Sequence, residues 1–105
     1  MELESTIRAR GMKLLRALPG SWWTKVDQRI VRDTPDDIGC YQGVLVAVEW
    51  KRSSKHTPRP GQVFTMEKIK EAGGIVTVGH DENYRDLAGD LLMLDTCSEC
   101  GRPKR

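Results

Sequence analysis

The residues with the clearest chemical potential close the longest apolar run of the chain. In "VLVAVEWK", residues 44–51, Glu49 and Lys51 stand two apart. Side chains alternate along a strand, so Leu45, Ala47, Glu49 and Lys51 face one way and Val44, Val46, Val48 and Trp50 the other. Both faces are apolar until Glu49, which suits an interior strand covered on two sides. A carboxylate and an ammonium at such a strand end cost desolvation energy unless something compensates, and a metal ion with a phosphate would do so. An acid-x-Lys triplet alone is weak, because ordinary composition yields roughly one in a chain of this size. Three further residues add weight: Asp36 in the Pro-Asp pair just upstream, Gln62 early in the next segment, and Glu4 in the opening one.

The chemistry these residue types suit is phosphodiester hydrolysis, which needs phosphate charge neutralised and a water made nucleophilic. Hard oxygen ligands such as Asp, Glu and a carbonyl favour Mg²⁺ or Mn²⁺. Such an ion lowers the pKa of a water and clamps phosphate oxygens. Lys51 would orient or deprotonate that water, or else stay charged and stabilise the pentacovalent state. The sequence leaves both roles open.

Positioning these groups requires an ordered set of elements. Leu3, Ile7, Leu14 and Leu18 recur at three- to four-residue steps, which predicts a helix over residues 2–18 with Gly11 on the same stripe, where another backbone could approach. Pro19-Gly20 ends it. "SWWTKVD" reads as a strand, followed by a polar, turn-rich connection through Asp33, Thr34 and Pro35. "DIGCY" and the Val44 strand are separated by Gln42-Gly43 and so form an antiparallel hairpin. Thr57-Pro58 signals a helix start, and Gly73-Gly74 a stop. "IVTVG" reads as a buried strand, and "ENYRDLAGDLLML" as a weaker helix carrying Leu87, Leu91 and Leu94. A helix joins the Val44 and Ile75 strands, which makes them parallel neighbours with a right-handed crossover. The expected class is α/β, in the order helix, three strands, helix, strand, helix.

Bulk properties agree with a small domain. The 105 residues are 38% hydrophobic and 30% charged, enough for one modest core and lean enough that oligomerisation would help. No apolar run reaches the roughly 18 residues of a membrane span, and the first residues carry no signal-peptide core, so the cytoplasm is expected. Net charge is only +2, but cations crowd residues 8–16, 51–59 and the final "GRPKR", around acids at 33–37 and 81–95. Basic patches about an acidic cluster suit a polyanion bound near a metal. Three cysteines are an odd count and argue for reduced thiols rather than a disulfide framework.

The stretch "TPDDIGCYQGVLVAVEWKRSSKHTPRPGQVFTMEKIKEAGGIVTVG" resembles the core of a VRR-NUC domain, the virus-type replication-repair branch of the PD-(D/E)xK nuclease superfamily. The similarity covers about the first 80 residues and rests on the helix glutamate, Pro-Asp, Glu-x-Lys, helix Gln and aliphatic strand taken together. It implies an α-β-β-β-α-β core with a C-terminal helix, its mixed sheet flanked by helices, over residues 1–95, with 96–105 a basic tail. It implies a metal-dependent DNA endonuclease acting as a homodimer on duplex or branched DNA, in a bacterial or phage-infected cell. By matching position, Asp36, Glu49 and the main-chain carbonyl of Trp50 would ligate Mg²⁺ or Mn²⁺. Lys51 would contact the scissile phosphate or the attacking water, and Glu4 and Gln62 would complete the catalytic set. Asp37 follows Asp36 where the family has an apolar residue. Alternation sends the two to opposite faces, and Asp36 is favoured.

The loop after the strand offers Arg52, Lys55, His56 and Arg59 to a DNA backbone. His80 reads as structural. Of Trp22 and Trp23, at least one should be core or interface rather than a base-stacking platform. Cys97 and Cys100 form one CxxC, half of a zinc site, with too few partners for a closed one. The rival from another class is a DNA-binding accessory module that keeps the fold and not the chemistry.

Overall fold

A computed structural model describes residues 3–30 and 32–93, so Leu94 and the Cys97/Cys100 tail lie outside the described residues. The elements are α1 (Glu4–Arg16), β1 (Ser21–Lys25), β2 (Asp37–Tyr41), β3 (Val44–Trp50), α2 (Pro60–Glu71), β4 (Ile75–Gly79) and α3 (Leu87–Leu92). The strands form one mixed sheet in the order β1-β2-β3-β4. β2 runs antiparallel to both β1 and β3, while β4 joins β3 in parallel through α2. Gln42 and Gly43 both have positive φ, 54° and 80°. That is the twist a two-residue hairpin needs, and glycine supplies half of it without strain.

The core lies between the sheet and α1 with α3. Trp50 is its centre: the side chain is wholly buried among Ile7, Met12, Leu15, Val48 and Leu87. Its indole fits between Gly11 of α1 and Gly79 of β4, where a Cβ at either position would collide with the ring. The close approach at Gly11 is thus to a side chain, not to a backbone. It also turns the helix. The buried arc comprises Ile7, Gly11, Met12, Leu15 and Leu18, leaving Leu14 40% and Leu3 64% exposed. The expected stripe through Leu3 and Leu14 is corrected accordingly.

Other boundaries shift for local reasons. α2 begins at Pro60, not at Thr57-Pro58, because Arg59 precedes a proline and is held extended at φ −66°, ψ 155°. The Gln62 side chain caps the start, Oε1 accepting from Arg59 N–H at 3.1 Å. α3 begins only at Leu87, since Asn83 ties the preceding turn to β4: Nδ2 donates to Val78 O at 2.8 Å and Oδ1 accepts from His80 N–H at 2.7 Å. Such side-chain bonds compete with helix. β4 is an edge strand and only half buried from Ile75 to Val78, rather than fully buried. Leu45 is 43% exposed, so the outer face of β3 is incompletely covered. No helix among the described residues is long and apolar enough to cross a membrane.

Gly11→Ala gives the packing a sign. In an exposed helix interior this change stabilises by about 1 kcal/mol. Here the added methyl meets the Trp50 ring, so destabilisation of about 1–3 kcal/mol is expected, read as a fall in denaturant midpoint at constant slope.

Candidate functional site

The sheet's pairing brings the acids together. Asp37 pairs with Val48 in the β2–β3 register, so Asp36 stands one step beyond, opposite Glu49. Its carboxylate is oriented twice. Oδ2 accepts from the Trp50 backbone N–H at 2.8 Å, and Oδ1 from Gln28 Nε2 at 3.2 Å. Gln28 also donates to Thr34 O at 2.6 Å, bracing the approach to β2. Asp37 has a different fate. It is fully buried, accepts from Arg8 Nε and Nη2 at 2.8 and 2.7 Å, and accepts from the Trp50 indole N–H at 3.0 Å. Its oxygens close a partly buried ion pair between α1 and the sheet. Asp36, not Asp37, is the carboxylate next to Glu49.

Glu49 is 1% exposed, and Lys51 Nζ lies 3.2 Å from its Oε2. The other oxygen, Oε1, is buried with no hydrogen-bond partner. Burial raises the Glu49 carboxyl from 4.5 to about 7, helped by the adjacent Asp36 carboxylate within hydrogen-bonding reach and opposed by the Lys51 ammonium. Two carboxylates crowded into a sheltered corner either share a proton or hold a cation. An orphaned buried oxygen beside a second carboxylate fits a hard divalent ion. Among the described residues no three His, Cys, Asp or Glu side chains cluster. A third protein ligand would therefore be main chain, and the Trp50 carbonyl, between Glu49 and Lys51 in sequence, is the nearest fit.

The remaining expected residues scatter around this corner. Glu4 is exposed and does not join the carboxylates; it lines a cleft of about 530 Å³ with Ser5, Lys51, Arg52, His56 and Thr57. Gln62 is buried, and its Oε1 is committed to the start of α2. Arg52, Lys55, His56 and Arg59 are all exposed on the loop that leaves the site. His56 Nδ1 bonds Ser53 Oγ at 2.8 Å, and Arg59 lies 3.5 Å from Asp33. His80 Nδ1 accepts from Glu82 N–H at 3.2 Å, a structural arrangement. Trp23 is buried, its Nε1 donating to Leu15 O at 3.2 Å, whereas Trp22 is 64% exposed.

Sequence reasoning missed Arg8 and Gln28. A signal existed for Arg8: alternation places Asp37 on the core face with Gly39 and Tyr41, where a carboxylate requires a cationic partner, and α1 is the element packed there. Gln28 sits in an irregular connection whose path no periodicity reveals.

Glu49 also makes stability depend on pH. Its folded pKa is raised from 4.5 to about 7, so the folded state keeps a proton that the unfolded chain loses across that window. The group therefore stabilises the fold at low pH, and that contribution is lost as pH rises through the folded value. In metal-free buffer, Glu49→Gln is expected to melt higher than wild type at pH 8 and close to it at pH 5. Added Mn²⁺ should raise the wild-type melting temperature at pH 8 and leave the variant's unchanged. Equal pH profiles for the two proteins would contradict the assignment.

No family model matches the chain, and no curated protein or solved structure is significantly similar to it.

Proposed function

We propose that this chain is a Mg²⁺- or Mn²⁺-dependent deoxyribonuclease of the VRR-NUC type, with the PD-(D/E)xK core, acting as a homodimer on duplex or branched DNA. The observation that carries the reading is the corner itself: Asp36 and Glu49 meet across paired strands, Glu49 Oε1 is buried without a partner, and Lys51 Nζ stands 3.2 Å from Oε2. The mixed four-stranded sheet and its helices are compatible with that core.

Asp36, Glu49 and the Trp50 carbonyl would hold the ion, which supplies charge neutralisation on the phosphate and a more acidic water. The chain's own groups do the rest. The Trp50 N–H and Gln28 fix Asp36 before anything binds, so its oxygens need no reorganisation. Glu49 must release its proton to act as a ligand, which favours the site above neutral pH. Lys51 is partly buried between Glu49 and the Glu4–His56 cleft, so its ammonium borders the space where a phosphate would lie. From there it donates to a phosphate oxygen or to the attacking water. Arg52, Lys55, His56 and Arg59 extend positive charge along one side of the corner. For the second copy, the outer sheet face offers an apolar row in register: Trp22 pairs with Cys40 and Cys40 with Leu45. Trp22 and Leu45 are 64% and 43% exposed.

Replacing Lys51 by Ala is expected to reduce Mn²⁺-dependent cleavage of supercoiled, flapped and four-way DNA by about 10²–10³-fold, the cost of removing one preorganised donor. Glu49→Gln should abolish it while the protein stays folded. Wild-type-level cleavage by either variant would overturn the mechanism. Salt-sensitive DNA binding by the wild type with no cleavage under any divalent ion would leave only a binding module.

A further inference from the structure

The loop that leaves β3 holds a serine–histidine pair that the carboxylate corner does not use. Two bonds tie this loop to the end of β4 and the turn beyond it. Lys51 N–H donates to Gly79 O at 2.8 Å, and Ser54 Oγ donates to Glu82 Oε1 at 3.0 Å. Within the loop, Ser53 closes a tight turn: His56 N–H donates to Ser53 O at 3.1 Å, and Lys55 N–H to Ser53 Oγ at 3.3 Å. Ser53 is only 7% exposed, and its hydroxyl oxygen lies 2.8 Å from His56 Nδ1.

This bonding selects one form of the imidazole. Oγ already accepts from the Lys55 amide, so its own proton is available to Nδ1, which then carries none. With a proton on Nδ1 instead, two N–H donors would converge on one hydroxyl. The buried hydroxyl proton would also lose the acceptor it has here, which burial penalises. The neutral ring therefore carries its proton on Nε2, on the side away from Ser53. His56 lines the same cleft as Lys51 and Arg52. Glu4 and Ser5, at the start of α1, form the opposite wall, so the cations and the imidazole N–H stand together on one side.

We propose that Ser53 is a positioning residue, which holds His56 as a neutral Nε2–H donor to a DNA backbone phosphate lying against the Lys51–Arg52 wall of the cleft. His56 then supplies direction without charge. It transfers no proton, because Nδ1 is occupied and loss of the Nε2 proton would leave an imidazolate. The inference rests on the DNA-binding part of the proposed function, and cleavage plays no part in its test.

The test uses the full chain in EDTA at pH 8. Nitrogen-15 NMR reads the tautomer of each of the chain's two histidines, and a His56→Gln sample assigns the signals. His56 should show a protonated Nε2 and a bare Nδ1, and Ser53→Ala should let the Nδ1–H form appear. In duplex binding over a salt series, His56→Ala should weaken affinity about tenfold and keep the wild-type slope of log affinity against log salt. A neutral donor releases no counterion. Arg52→Ala should instead flatten that slope by about 0.9. His56→Gln, whose amide N–H falls near Nε2, should recover most of the affinity that His56→Asn, whose amide matches Nδ1, does not. Unchanged His80 signals confirm a folded protein in each variant. An Nδ1–H tautomer in the wild type, a slope flattened by about 0.9 in His56→Ala, or wild-type affinity in that variant overturns the assignment and leaves the nuclease reading standing. A wild-type chain that binds no DNA removes both.

Discussion

Trp50 is the constraint on which the rest of the molecule depends. Its indole fills the space between α1 and β4 and admits only glycine at positions 11 and 79. Its ring N–H is bound by Asp37 and its backbone N–H by Asp36. One residue therefore sets the rotation of α1, the packing of the parallel β3–β4 pair and the orientation of the carboxylate next to Glu49. Burying so large a ring contributes several times the thermal energy, and its polar edge is satisfied rather than stranded. The site inherits its rigidity from the core.

The two consecutive aspartates divide the labour of that arrangement. Asp37 faces inward and is neutralised by the Arg8 fork, a partly buried bidentate pair whose loss would strand a carboxylate in the core. Asp36 faces the other side, held by the Trp50 N–H and Gln28 next to Glu49, whose Oε2 meets the Lys51 ammonium. Burial, helped by the neighbouring Asp36 carboxylate and opposed by Lys51, makes Glu49 hold its proton more tightly. A divalent cation would relieve the cost of burying Glu49 beside Asp36.

Much of this was legible in the sequence, and the reasons are specific. The element order and the parallel pairing of β3 with β4 follow from alternation in "VLVAVEW", from the Gln42-Gly43 turn and from the Pro19-Gly20 and Gly73-Gly74 stops. Those are short-range signals, and short-range physics carries them. The placement of Asp36 beside Glu49 was likewise within reach, since strand register is set by the hairpin. What stayed hidden was decided by tertiary contact. The rotation of α1 away from Leu3 and Leu14 is imposed by the Trp50 ring. The later start of α3 comes from the Asn83 amide reaching β4. Arg8 and Gln28 act across 29 and 8 residues of sequence, through contacts that exist only once the sheet has formed. Glu4 and Gln62 lie near the site in sequence pattern but not within its carboxylate corner.

The central claim is that the Asp36–Glu49 corner is a cation site, and anomalous diffraction from a crystal soaked in Mn²⁺ near pH 8 tests it most directly. The expected result is a single strong peak within about 2.2 Å of oxygens from Asp36 and Glu49 and of the Trp50 carbonyl, with the ion's remaining positions open to solvent. A crystal with Mn²⁺ bound elsewhere and this corner empty, Lys51 still clasping Glu49, would contradict it.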